Sequence, residues 1–334
     1  MPYTVWGAFD WYRNNIIDLD IDQTKRARGS RDYLFDQLKI IEGKDVIFPK
    51  LTGSYISYGS FARSTKIRPL NDIDLLVLLN GTQTEANQST SDPYKFWLTI
   101  KDPSAPLAKF PDNYGYVNSI KVLNKIKYSL TTITNYQKAE IHRNQQAITL
   151  NLSSYPWVID IVPAVPINNY SNNGTAYFLI PDGNGDWIRT DPRKDQSTVT
   201  DLNQRLNGNL LPTIRLLKAW NKRTTKPVLP SYYFENLAIK VFQQTWIYSS
   251  YQNAINYFFE NCPAYLWSNF PDPKGLGPDL DSSISVETKQ KISEAMKEAT
   301  THCGYAIMYE NNKDEKNAIY WWGRVFGGEF PVYG

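Results

Sequence analysis

Apolar positions in the first half of the chain fall mostly into short β-type runs, and those in the second half into helical spacing. Val46–Tyr58, Ile73–Leu79, Ala147–Leu152 and Tyr155–Val165 read as strands, the last rich in the β-branched residues Val158, Ile159, Ile161 and Val162. Gln23 to Ile41, with Tyr33, Leu34, Leu38, Ile40 and Ile41 towards its end, reads as an amphipathic helix able to act as a spine for the first lobe. Val117–Tyr128 puts Ile120, Leu123 and Ile126 on one side and Lys121, Lys125 and Lys127 on the other, which predicts a second helix. Asn209–Arg223 repeats the helical spacing through Leu210, Leu211, Ile214 and Leu217, with Pro212 in the permissive first turn and Lys218 beside the stripe. Ser231, placed as an N-cap, opens a helix through Leu237, Val241 and Trp246. A helix over Val286–His302 is expected to stop at Gly304. Asn80–Asp92, Lys101–Gly115, Ile180–Pro192 and Phe270–Asp281 are polar or turn-rich and are predicted to be loops or connectors.

Composition narrows the class. With 334 residues and 42% hydrophobic content, the chain can bury one large core or two closely joined ones. Its 36 basic and 33 acidic residues are interspersed, for a net charge of +3, and no Lys/Arg block marks a long nucleic-acid groove. Two cysteines (Cys262, Cys303) and two histidines (His142, His302) supply neither a disulfide framework nor a zinc site, so a reducing, cytoplasmic setting is expected. Asp10 and Arg13 interrupt the window where a signal peptide would be apolar, and no apolar run approaches the roughly 18 residues that span a bilayer. No membrane partner is expected.

The candidate chemistry sits between Tyr55 and Leu79. Gly59-Ser60 breaks a β-type run and leads into a small polar turn, whose free backbone N–H groups suit a phosphate. Asp72-Ile73-Asp74 then opens the apolar run Leu75–Leu79. Residues i and i+2 of a strand share a face, so Asp72 and Asp74 project together, a costly arrangement unless a hard cation lies between them. Asp160 stands alone in the apolar strand Tyr155–Val165 and needs a partner if buried. Taken singly it could be a core aspartate bonded to backbone or to an arginine; beside the other two, a shared metal is the better partner. A similar spacing at Asp18, Asp20 and Asp22 has no Gly-Ser turn before it and no apolar strand after it, and is read as the acidic start of a helix.

In this order, Gly59-Ser60, Asp72-x-Asp74 and Asp160 resemble the polymerase-β-like nucleotidyltransferase superfamily. With LLKAWNKR around Lys218, Pro230-Ser231-Tyr232 and the terminal WWGRVFGGEFP, nearly the whole chain resembles the bacterial cyclic-oligonucleotide synthases (CD-NTases) related to animal cyclic GMP-AMP synthase. The resemblance implies an α+β, bilobal enzyme: a nucleotidyltransferase core with a mixed sheet and a spine helix over residues 1–195, and a helical nucleotide-binding lobe over 196–334. It implies that Asp72, Asp74 and Asp160 are catalytic and bind two Mg²⁺ ions, with Mn²⁺ as a substitute. Gly59 and Ser60 would hold the triphosphate, Lys218 would neutralise the β- and γ-phosphates, Ser231 would contact the triphosphate and Tyr232 would stack on a base. Taken without the resemblance, Lys218 would be a solvated lysine, Ser231 only a cap and Tyr232 part of a core.

The substrates implied are nucleoside triphosphates, ATP among them, condensed to a cyclic di- or trinucleotide second messenger with release of pyrophosphate. That messenger would act in anti-phage (CBASS) signalling through a cyclic nucleotide-activated effector. The zinc-ribbon ligands of the animal relative are missing, so no DNA activator is expected. The rivals are a nucleotidyltransferase acting on another acceptor (an RNA 3′ end, a protein hydroxyl or an antibiotic) and a binding module without activity. Some relatives are conjugated at a C-terminal glycine by ubiquitin-like machinery; Gly334 is either such a site or an ordinary terminus.

Overall fold

A computed structural model describes residues 1–169, 174–245 and 250–334. After a short helix α1 (Val5–Tyr12), the long α2 (Ile21–Lys44) leads into β1 (Leu51–Tyr58), a one-turn α3 (Gly59–Ala62) and β2 (Asp72–Leu79). Then come β3 (Thr84–Gln88), β4 (Lys95–Ile100), α4 (Ser119–Thr131), β5 (Glu140–Asn144), β6 (Ala147–Asn151), β7 (Val158–Asn169), β8 (Gly174–Pro181) and β9 (Trp187–Thr190). The rest is helical: α5 (Pro192–Arg205), α6 (Leu210–Asn221), α7 (Ser231–Phe242), α8 (Tyr251–Leu266), α9 (Val286–Asn311) and α10 (Glu315–Phe326). This is the α+β architecture expected.

The strands form one mixed sheet in the order β1-β2-β7-β8-β9-β4-β3, with β6 also on β7 and β5 on β6. β2 and β7 are parallel neighbours, while β1–β2, β6–β7 and β7–β8 are antiparallel. β7 belongs to both halves of the sheet: Val158–Ala164 pairs with β2, and Val165–Asn169 with β8. The pleat sorts its side chains by parity. Ile73, Leu75, Val77 and Leu79 of β2 and Ile159 and Ile161 of β7 pack with Leu34 and Leu38 of α2 and Val122 and Ile126 of α4. The opposite face carries Leu76, Leu78, Val162, Ala164 and Phe178 in a smaller apolar cluster, and continues past it to Asp72, Asp74 and Asp160.

A second large core joins α5 to α10 and includes Val5, Ala8, Phe9 and Tyr12 of α1, which pack against Trp322, Phe326 and Phe330. Cys262 and Cys303 are buried in it as free thiols. Among the described residues no helix is long and apolar enough to cross a membrane.

Several expectations need correction. Asn80–Asp92 contains β3, a polar edge strand held by main-chain pairing to β4, so apolar periodicity carries no trace of it. Ile180–Pro192 contains β9. Gly304 lies inside α9 rather than ending it, because Cys303 and Ala306 continue the buried face and outweigh the roughly 1 kcal/mol that glycine costs a helix. Ser231 is the first helical residue of α7, not its cap: Pro230 takes the cap position and no side chain caps the turn. Trp246, where the sequence predicts that helix to continue, lies outside the described residues. The acidic start is as read: Asp20 caps α2 by accepting from the Gln23 N–H at 2.7 Å, while Asp18 pairs with Arg13 and Arg215.

Candidate active site

The site follows from the register of the sheet. Asp74 of β2 lies directly opposite Asp160 of β7, and Asp72 opposite Val158. Tyr58 of β1 is the partner of Asp74 on its other side, and Thr149 of β6 the partner of Asp160. Tyr58, Asp74, Asp160 and Thr149 thus form one row across four strands, with Asp72 one pleat further along.

The turn before β2 closes against this row. Gly59 has φ +72°, and a Cβ there would lie 1.8 Å from Asp74 Oδ2, so only glycine lets the turn reach the carboxylate. Ser60 is half-buried in the same turn, and its carbonyl accepts from the main-chain N–H groups of Thr65 (2.9 Å) and Lys66 (3.0 Å), which folds the 60–66 segment back on itself.

The electrostatics are those of crowded acids. Burial, reinforced by the charges of Asp72 and Asp160, pushes Asp74 up to about 7. Burial also raises Asp160, although Thr149 Oγ1 donates to it at 2.6 Å; Asp72 adds to the rise. The Tyr58 phenol is raised by burial and by both acids. Among the described residues no three side chains already stand as a metal-ligand group, and the Lys66 ammonium pairs with Asp72. The donor set nonetheless suits a hard divalent cation: carboxylate oxygens only, packed closely enough to resist ionisation together.

A stability prediction follows. The native protein holds a proton on Asp74 that the unfolded chain, with an ordinary carboxylate, releases near pH 4. The stability this contributes is complete below about pH 4 and lost as pH rises through about 7. The Tm of metal-free protein, followed from pH 5.5 to 8, should therefore fall more steeply for the wild type than for Asp74→Asn; parallel curves would refute it.

The remaining candidates lie on α6 and at the start of α7. Lys218 of α6 is 5% exposed and pairs with Glu235 of α7 at 3.5 Å, so it is not the solvated lysine that its place beside an apolar stripe allows. Ser231 is exposed in the uncapped first turn of α7. Tyr232 is half-buried; its hydroxyl donates to Asp195 (2.8 Å) and accepts from Lys274 (2.7 Å), and its ring lies under the Arg63 guanidinium and the Lys274 ammonium. No sequence motif marks Arg63, Thr65, Lys66 or Glu235. The first three lie within six residues of Ser60, the one local hint that they stand near its turn.

No protein-family model matches the chain. It is 40% identical over 335 residues to a probable cyclic nucleotide synthase of Bacillus cereus (strain VD146), an alignment covering 100% of this chain and 99% of the relative. It is 25% identical over 255 residues to the cyclic dipyrimidine nucleotide synthase CdnE of Legionella pneumophila, covering 71% of this chain and 78% of that one. Its fold is similar to that of CdnC of E. coli MS115-1, solved with ATP, at a TM-score of 0.69 and 15% identity over 97% of this chain and 98% of that one. The apo form of Vibrio cholerae DncV gives a TM-score of 0.66 at 11% identity, covering 98% and 96% of the two chains. With a relative this similar along its full length, the chain belongs to the bacterial cyclic-oligonucleotide synthases, the CD-NTase family of nucleotidyltransferases.

Proposed function

We propose that this enzyme is Mg²⁺-dependent and joins nucleoside triphosphates, ATP among them, into a cyclic di- or trinucleotide, releasing pyrophosphate. The product would serve anti-phage (CBASS) signalling through an effector that the cyclic nucleotide activates. The observation that carries this reading is the row in which Asp74 and Asp160 stand side by side while Gly59 closes the turn against Asp74.

In this reading Asp72, Asp74 and Asp160 hold two Mg²⁺ ions, with Mn²⁺ able to replace them. Cations held by these carboxylates would supply charge stabilisation for an in-line displacement at the α-phosphate. Backbone N–H groups at Gly59 and the Ser60 hydroxyl hold the triphosphate tail. Lys218 offsets the charge of the β- and γ-phosphates, Ser231 donates to the tail from the open first turn of α7, and Tyr232 stacks on a base. Asp160, which accepts from Thr149, faces the acceptor ribose hydroxyl. A lobe of residues 1–195 would carry the transfer chemistry and one of 196–334 would complete the nucleotide site. One further round on the linear intermediate closes a dinucleotide ring, and two rounds extend and close a trinucleotide, without another site.

The test is incubation with the four nucleoside triphosphates and Mg²⁺ alone, phosphatase treatment and mass spectrometry. A phosphatase-resistant product with the mass of a cyclic di- or trinucleotide is expected. Turnover that appears only when an RNA, protein or antibiotic acceptor is added would overturn the proposal.

A further inference from the structure

Between the two large cores lies a charged cluster that the roles above leave unexplained. Its centre is Glu235, one turn into α7 and 1% exposed. The carboxylate accepts from Arg63 Nε at 2.7 Å and Thr65 Oγ1 at 2.8 Å, and pairs with Lys218 Nζ at 3.5 Å. Arg63 and Thr65 leave the Gly59-Ser60 turn, Lys218 belongs to α6 and Glu235 to α7, so one carboxylate ties three separate segments together.

Such burial is costly for an ion, and this one has two cations and a hydroxyl arranged around it. Burial alone would raise the Glu235 carboxyl, yet Arg63 and Lys218 hold it below its ordinary range, so it stays charged. Glu235 thus meets two cations, Arg63 and Lys218, while Asp195, which also faces Arg63, is bonded by Tyr232 and paired with Lys274. Arg63 is pinned further by the face of Tyr232, 5.5 Å away. Because the Ser60 carbonyl accepts from the N–H groups of Thr65 and Lys66, a clamp on Thr65 is also a clamp on Ser60.

We infer that Glu235 is a positioning residue for the triphosphate: it fixes the Gly59-Ser60 turn against the helical lobe and holds Lys218 in place and charged. This rests on the reading of Ser60 and Lys218 as triphosphate contacts. Lys218 is faced by Glu235 from α7 and by Arg63 and Lys66 from the segment after α3. Burial lowers the Lys218 ammonium, Arg63 and Lys66 lower it further, and Glu235 is the counter-charge that opposes them.

Glu235→Gln keeps the shape and removes the charge. With folding checked by circular dichroism and Tm, the variant is expected to raise the KM for nucleoside triphosphate about tenfold or more, with kcat changed less. The alkaline limb of its kcat/KM profile should also move to lower pH, because Lys218 loses its proton earlier. A role confined to holding the fold would lower Tm and leave that limb in place. A folded Glu235→Gln enzyme with unchanged KM and an unshifted limb overturns the proposal.

If Glu235→Gln does not fold, Thr65→Val decides. It removes one donor and neither ion pair, and is expected to raise KM several-fold with little change in Tm; an unchanged KM overturns the clamp. Lys218→Met separates the two readings. If it leaves KM unaltered while Thr65→Val or Glu235→Gln raises it, the assignment of Lys218 fails and the clamp on Ser60 stands.

Discussion

Replacing Asp74 with asparagine is expected to lower the rate of product formation by about a thousandfold or more while leaving the protein folded. The loss corresponds to several kcal/mol of transition-state stabilisation, the scale on which a bound divalent cation acts, at about 1.36 kcal/mol per factor of ten. Asparagine has the same shape but offers one neutral oxygen and an amide N–H₂, which repels a cation. The fold should survive for a reason specific to this site. Asp74 is buried among Asp72 and Asp160, so its charge opposes folding in the absence of metal. Asp74→Asn should therefore raise the Tm of metal-free protein near pH 8 and reduce the stabilisation that added Mg²⁺ gives the wild type. Asp72→Asn should lose activity in the same way. Near-normal turnover by either variant would remove these residues from the cation site.

A single methyl group at Gly59 is expected to do comparable damage by a different route. In Gly59→Ala the added carbon would fall 1.8 Å from Asp74 Oδ2, and a backbone at φ +72° costs a non-glycine residue about 1–2 kcal/mol. The turn must withdraw or the carboxylate must swing away, and in either case the phosphate-binding turn and the cation site separate. Activity should fall at least a hundredfold, with a modest loss of Tm. Affinity for Mn²⁺ should weaken with it, measurable by calorimetry without nucleotide. An alanine enzyme that binds Mn²⁺ and turns over like the wild type would show that the close approach is dispensable.

The carboxylates were legible because strand alternation is a local rule. Asp72 and Asp74, two residues apart, share a face in any register, and Asp160 is marked by standing alone in a β-branched run; that it meets Asp74 is set by the β2–β7 register. The glycine-serine turn was legible as a change in residue type. What escaped depends on distance along the chain. Glu235 meets Arg63 across 172 residues, and nothing in SYYFENL separates a buried anion from a solvated helix position. Lys66 reads as an ordinary surface lysine until the turn brings it onto Asp72. The apolar pattern predicts no helix at α1, α5, α8 or α10: α5 is largely polar, and α8 runs through Pro263, a residue that normally ends a helix. The strands β3, β4, β5, β8 and β9 are likewise not among those the pattern predicts, and β3 and β9 are short segments whose main-chain pairing, not side-chain pattern, defines them.

The alignment of β2 beside β7 sets how this protein can drift without losing its chemistry. The chain between the two strands winds through an edge hairpin, a helix and a second hairpin before it returns, and length changes in its exposed connections leave the neighbour relation untouched. One residue gained or lost inside β7 ahead of Asp160 would instead turn that acid toward α2 and α4 and present Ile159 or Ile161 in its stead. Homologues should therefore be free to vary in their loops while keeping the spacing from Val158 to Asp160 constant.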